Sequence, residues 1–126
     1  ISVEGAINST KTIVSYDNGM HLARQACEIL DKEYNIKVKL IDLQWLAPLP
    51  FNALKEALKD QQEVIIVDEC RQTGSPSEQL VTWMVENFTS LPVIKRITAE
   101  DSFIPIGEAW KYVLPSCQAI VNCIIN

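Results

Sequence analysis

Residues 36–75 read IKVKLIDLQWLAPLPFNALKEALKDQQEVIIVDECRQTGS, and this stretch constrains the fold more than any other. Val38, Leu40, Ile41 and Leu43 make a strand, which Pro48 and Pro50 stop, because proline removes ladder donors and fixes φ. Phe51, Leu54, Ala57 and Leu58 then recur at helical spacing. Val64, Ile65, Ile66 and Val67 follow without a polar residue between them, as suits a central strand covered on both faces. Strand, helix and strand in that order form a βαβ unit with parallel strands. The segment 68–74 then falls at the carboxyl edge of the sheet, where open α/β sheets meet ligands and partners.

The rest of the chain extends this unit. Residues 12–16 are a β-branched and aromatic strand ended by a turn at Asp17-Asn18-Gly19. Ala23, Ala26, Cys27, Leu30 and Tyr34 fall on one helical face, with Arg24, Gln25, Glu28 and Lys32 elsewhere. Ser75-Pro76-Ser77-Glu78 reads as a capping box with proline at the first helical position. Leu80, Val81, Met84, Val85 and Phe88 carry the core face of that helix, with Trp83 beside the stripe. Residues 93–98 form another strand. Ser116 caps a last helix whose apolar face is Ile120, Cys123 and Ile124. Residues 2–7 are an edge strand, and Trp45 packs in the Pro-rich turn. The expected architecture is one three-layer α/β/α domain over residues 1–126.

Charge and cysteine usage exclude several classes. Eleven basic against sixteen acidic residues leave a net charge of −5, with no basic cluster to follow a nucleic-acid backbone. No apolar run approaches a membrane span, and the opening residues lack the basic-then-apolar pattern of a signal peptide. The first residue is Ile rather than Met, so the chain reads as a fragment of a longer protein. Cys27, Cys70, Cys117 and Cys123 have neither CxxC spacing nor histidine partners, His21 being the only histidine. Free, mostly buried thiols of a cytoplasmic protein are expected.

Candidate chemistry gathers at strand ends. Asp17, Asp42, Asp68, Glu69, Glu100 and Asp101 each follow or end a strand, and parallel strands bring them to one edge. Such an edge suits Mg²⁺, acid–base work or a basic partner, but aspartate is also common there as a turn former. Asp68-Glu69-Cys70-Arg71-Gln72-Thr73-Gly74 sets two acids, a guanidinium and a glycine just before a helix N-terminus. That arrangement receives an anion, or Arg71 pairs with a neighbouring acid. The favoured role is structural or interfacial, with Asp68, Glu69, Arg71, Thr73 and Gly74 as interface or partner-docking residues. His21 has no nucleophile to pair with, and Cys70 feels both Arg71 and two acids. Neither glycine-rich phosphate motif occurs.

Several segments resemble the transketolase C-terminal domain family, most closely the β-type subunit of thiamine-diphosphate-dependent 2-oxoacid dehydrogenases. They are Ile13-Val14-Ser15-Tyr16 with Asn18-Gly19, and Ile41-Asp42-Leu43-Gln44-Trp45-Leu46-Ala47-Pro48-Leu49-Pro50. Val67-Asp68-Glu69-Cys70-Arg71-Gln72-Thr73-Gly74, Glu100-Asp101-Ser102-Phe103-Ile104-Pro105-Ile106-Gly107 and Leu114-Pro115-Ser116 complete the set. The resemblance implies a mixed five-stranded sheet in the order 1-3-2-4-5, with strand 1 antiparallel. It implies an enzyme that decarboxylates a 2-oxoacid and passes the acyl group to a lipoyl carrier. Thiamine diphosphate and Mg²⁺ would be held by other domains, so no catalytic, cofactor-binding or metal residue is assigned here.

The implied partners are a second copy or an α/β assembly, and a lipoyl acyltransferase core. The Arg71 segment and the helix from Pro76 would be contact surfaces. Ser75-Pro76-Ser77 departs from the small, Gly-rich residues of many relatives. Two other readings share the pattern: a phospho-acceptor receiver domain, and the C-terminal domain of transketolase or deoxyxylulose-phosphate synthase. A receiver needs paired acids after its first strand and a lysine after its last. Tyr16-Asp17 and the strand-internal Lys95-Arg96 fit that poorly.

Overall fold

The computed structural model of the chain describes residues 1–102, 107–112 and 114–126, without the side chains of Trp110 and Tyr112. In chain order the elements are β1 (Ser2–Gly5), β2 (Lys11–Ser15), α1 (Asn18–Tyr34), β3 (Lys39–Asp42) and α2 (Phe51–Ala57). Then come β4 (Glu63–Arg71), α3 (Pro76–Asn87), β5 (Val93–Ala99), a 3₁₀ turn (Gly107–Tyr112) and α4 (Cys117–Ile125). The five strands lie in the order β1-β3-β2-β4-β5. β1 runs antiparallel to β3, and the other neighbours are parallel. The sheet is therefore the mixed one the resemblance implied.

Alternation along the strands feeds two cores. Ile13, Ile65 and Val67 face α1 and α4, where they meet Met20, Leu30 and Ile120. Val14, Val64 and Ile66 face α2 and α3, against Leu54, Leu80 and Met84. Helices on both faces explain why the central strands read as unbroken apolar runs. The edge strand β1 alternates instead, with Val3 41% exposed. Glu4 on β1 takes two bonds from Arg24 of α1, at 3.0 and 2.8 Å, which ties the edge to the helix layer.

Several boundaries differ from the sequence reading. The residues expected to turn after β2 already begin α1, with Asp17 alone turning the backbone at φ 49°. Tyr34, the last residue of α1, and Val85, next to the buried Met84 on α3, are assigned to core faces by spacing but are exposed. Trp45 hydrogen-bonds to the Ala47 carbonyl within the Pro-rich turn at 2.8 Å, yet it stays 64% exposed. β4 continues past Val67 to Arg71 through an irregularity between Asp68 and Arg71. The segment 68–71 is thus strand, not loop.

Gly19 shows why α1 can start so close to β2. A Cβ there would lie 2.3 Å from Ser15 Oγ, which donates to the Val67 carbonyl at 2.7 Å in a buried position. Gly19→Ala forces that hydroxyl away and leaves buried polar groups unpaired, at about 1–3 kcal/mol. Ser15→Ala in the same chain removes the collision though not the unpaired Val67 carbonyl, so the double variant should lose less than the sum of the two single losses. Equal and additive losses in a urea-denaturation cycle would show that the two residues do not collide.

The opposite edge of the sheet carries an ion cluster. Glu63, 9% exposed, accepts from Lys11 Nζ at 2.5 Å and Lys95 Nζ at 2.7 Å, and Lys95 also reaches the Cys123 carbonyl at 3.1 Å. This joins β2, β4, β5 and α4. Burial pushes the Glu63 carboxyl up, but the two ammonium groups outweigh it and hold it below its ordinary 4.5. A depressed folded pKa contributes stability that is complete above the unfolded value and lost as pH falls through the folded one. Between pH 7 and 3, Glu63→Gln should therefore flatten part of the acid limb of the urea midpoint. An acid limb of unchanged steepness would contradict this.

Candidate functional site

Because β2, β3, β4 and β5 are parallel, their carboxyl ends share one rim. The rim is built around Asp68, which is wholly buried. One oxygen, Oδ1, accepts from the Tyr16 hydroxyl at 2.5 Å and from the Cys70 amide at 2.9 Å. The other, Oδ2, accepts from the Ser77 amide at 3.0 Å. Burial raises the Asp68 pKa, but these donors prevail and hold the carboxyl below its usual range. Tyr16 moves the opposite way: burial, and then the Asp68 carboxylate, push its hydroxyl far up, so it stays a donor.

The expected capping box at α3 takes a different form. Ser75 is the N-cap, but its hydroxyl caps no amide of the helix. Ser75 Oγ lies 2.8 Å from Ser77 Oγ, and Glu78 accepts from the Gly74 amide at 2.7 Å rather than from Ser75. Of the first-turn amides, that of Glu78 reaches the Ser75 carbonyl at 3.0 Å, and that of Ser77 goes to Asp68 from inside the fold. Arg96 of β5 closes the network by donating to Ser77 Oγ at 2.9 and 3.1 Å, Ser75 Oγ at 3.1 Å and the Gln72 carbonyl at 2.6 Å. The anion that a helix N-terminus attracts is thus the protein's own carboxylate.

This arrangement sorts the five interface residues. Asp68 faces inward and offers nothing to a partner, contrary to the sequence reading. Glu69 is half-buried and accepts from Asn18 Nδ2 at 2.8 Å. Arg71 is exposed at the end of β4 and forms no ion pair with a described residue, so the expected self-pairing is not seen. Thr73 is exposed and bonded to Asp101 through its amide at 2.9 Å and its hydroxyl at 2.5 Å. Those two bonds, with a smaller pull from Arg71, hold the Asp101 carboxyl below its ordinary value. Gly74 adopts φ +72° with open space where a Cβ would stand, so the demand for glycine there is conformational rather than steric.

The remaining acids do not converge. Asp42 accepts from the Gln44 amide at 3.2 Å and lies 4.0 Å from Arg24, while Asp17 and Glu100 are exposed. Among the described residues no three His, Cys, Asp or Glu side chains are grouped to hold a metal ion. These acids do not fit a Mg²⁺-diphosphate site, since the most central one already spends its acceptors on internal donors. His21 and Cys70 are exposed, Cys70 with its sulfur 3.2 Å from the Tyr16 hydroxyl. Burial is the main cause raising the thiol pKa of Cys27 to about 12, and it also raises Cys117 and Cys123. Phe103, Ile104, Pro105 and Ile106 of the quoted family segment lie outside the described residues.

Sequence reasoning missed Tyr16, Ser77 and Arg96. The available signal was Arg96 itself, a charge inside a strand that must find partners when it is covered.

The family model for the transketolase C-terminal domain matches residues 6–120. A 1-deoxy-D-xylulose-5-phosphate synthase from Azobacteroides pseudotrichonymphae is 30% identical over 90% of this chain and 18% of its own length. A pyruvate dehydrogenase E1 component subunit beta from Gracilaria tenuistipitata is 30% identical over 90% of the chain and 36% of its own length. The chain thus spans between about a fifth and about a third of these relatives. Among solved structures, a split-gene transketolase in an inactive beta4 tetramer superposes with TM-score 0.77, 19% identity and coverage of 98% of this chain and 40% of its own. A 2-oxoglutarate:ferredoxin oxidoreductase from Magnetococcus marinus gives 0.67 at 20% identity, over 98% and 19% of the two chains. These two likenesses concern the fold.

Proposed function

The chain belongs to the transketolase C-terminal domain family, and on that premise we propose that it is the assembly domain of a thiamine-diphosphate-dependent 2-oxoacid dehydrogenase. The full protein oxidatively decarboxylates a 2-oxoacid and transfers the acyl group to a lipoyl carrier. Other domains hold thiamine diphosphate and Mg²⁺, and this chain alone is inactive. Its part is to present the rim at 69–74 to a second copy or an α/β assembly, and to the lipoyl acyltransferase core. Four unpaired cysteines suit a reducing compartment, and we assign the cytoplasm.

One observation carries this reading: the rim is braced from within by Asp68, Tyr16 and Arg96, while Glu69, Arg71 and Thr73 are left at the surface. A strand end and following turn held by a buried carboxylate, with Glu69 and Thr73 tied to neighbours and the Arg71 guanidinium outside any ion pair with a described residue, are preorganised for docking, which lowers the cost of association. The buried position of Asp68 also removes it as a phospho-acceptor, and the antiparallel β1 departs from an all-parallel receiver sheet.

Arg71→Glu in the full-length protein should weaken association about tenfold, the loss expected when a docking charge is reversed. Sedimentation unchanged by the substitution would end the rim's interface role. A second reading is supported by the 30% identity to a deoxyxylulose-phosphate synthase. Formation of 1-deoxy-D-xylulose 5-phosphate by the full-length protein, without acyl transfer to lipoyl groups, would establish it instead.

A further inference from the structure

Beside the rim, a groove of about 730 Å³ runs along the outer side of α3 from Gly74 to Glu86, with Phe51 at its wall. Its aromatic part is preset. The Phe51 and Trp83 rings stack at 5.0 Å and 26°, and Phe88 meets Trp83 edge-on at 5.4 Å. Its charge is of one sign. The titratable residues lining it are Glu78 and Glu86, and α3 contains no Lys, Arg or His. Glu78 has one oxygen engaged by the Gly74 amide, whereas Glu86 makes no ion pair or side-chain hydrogen bond with a described residue. The neighbouring lysines, Lys55 and Lys59, line a separate hollow with Glu56 and Asp60 at the other ends of α2 and α3.

We propose that this groove docks a short arginine-bearing segment of a partner protein, with a guanidinium set against the Trp83 ring and the Glu86 carboxylate. Arginine fits both features. Its plane stacks on an aromatic face, and its fork donates to a carboxylate. Lysine satisfies the charge but stacks less well, and an acidic or apolar segment would leave Glu86 without a counterion. The bland alternative is a solvated helix face that attracts any cation weakly and without position. The proposal is independent of the rim: Arg71 takes no part in it, and loss of one surface leaves the other standing.

The test is a titration of the whole chain, followed by amide and indole NMR, with a blocked pentapeptide carrying two arginines and with its lysine and glutamate counterparts. Shifts should concentrate at Thr82, Trp83 and Glu86, with arginine at least threefold tighter than lysine and no effect from glutamate. Glu86→Gln should weaken the arginine peptide at least threefold, while Glu33→Gln, an exposed acid on α1, should not. Trp83→Leu should erase the preference for arginine over lysine. Shifts spread evenly over the acidic surface, equal loss in the Glu86 and Glu33 variants, or equal binding of all three peptides would overturn the proposal. Concentration-dependent shifts at Trp83 without any peptide would assign the groove to a second copy, and would overturn it too.

Discussion

Asp68→Ala should lower the stability of the domain by about 3–4 kcal/mol, far more than any substitution among the exposed acids of the rim. The carboxylate accepts three bonds in a fully buried setting, and bonds to a charged acceptor are worth about 1.5–3 kcal/mol each. Full additivity is not expected, because Cys70 is exposed and water can reach that end of the network. Tyr16 and the Ser77 amide lose their partner inside the fold. Asp68→Asn keeps the shape but aims an amide N–H at one of the donors, so it should lose about 2 kcal/mol.

Glu69→Ala, which removes one bond at the surface, should stay within about 0.5 kcal/mol of the parent. Hydrogen exchange adds a local readout: the Ser77 and Glu78 amides should exchange faster in Asp68→Asn than those of α1. The pH dependence has a fixed sign. With its pKa depressed on folding, Asp68 contributes in full above its ordinary value of 3.8 and loses its contribution as pH falls through the folded value. Equal urea midpoints for the Asp68 and Glu69 alanine variants would remove Asp68 from the centre of the rim.

The contrast between Asp68 and Arg71 shows how far the sequence could be read. Both sit in one run of charged residues after a strand, and spacing places them at the same sheet edge. Which of the two points inward depends on strand length and on the irregularity between Asp68 and Arg71, a long-range property of the pairing with β5. The βαβ order and the apolar run 64–67 were legible because periodicity and proline chemistry are local. The capping box was half legible. Ser75 does sit at the N-cap, but the Glu78 amide its hydroxyl was expected to satisfy goes to the Ser75 backbone carbonyl, and the Ser77 amide goes to a residue nine positions earlier. Local capping rules have no access to that competitor, nor to Arg96 arriving from β5.

Ile65→Ala and Ile66→Ala should each cost about 2–5 kcal/mol, and their near-equality matters more than either value. In a sheet with one wet face, adjacent residues alternate between core and water, and one of two neighbours is cheap to truncate. Here Ile65 is fully buried on the α1 and α4 side, and Ile66, 2% exposed, is buried on the α2 and α3 side. Neither cavity can be filled by a loop, because helices close both faces. Domains of this size hold about 5–15 kcal/mol in all, so either variant approaches the limit of folding, and the double variant should not fold. Val3→Ala on the edge strand supplies the scale, at about 0.5 kcal/mol or less for a residue already 41% exposed. Urea unfolding of the three single variants decides the matter. A large loss at Ile65 with a loss at Ile66 no greater than that at Val3 would mean that α2 and α3 do not seal the second face, and the brace they give the rim would fall with it.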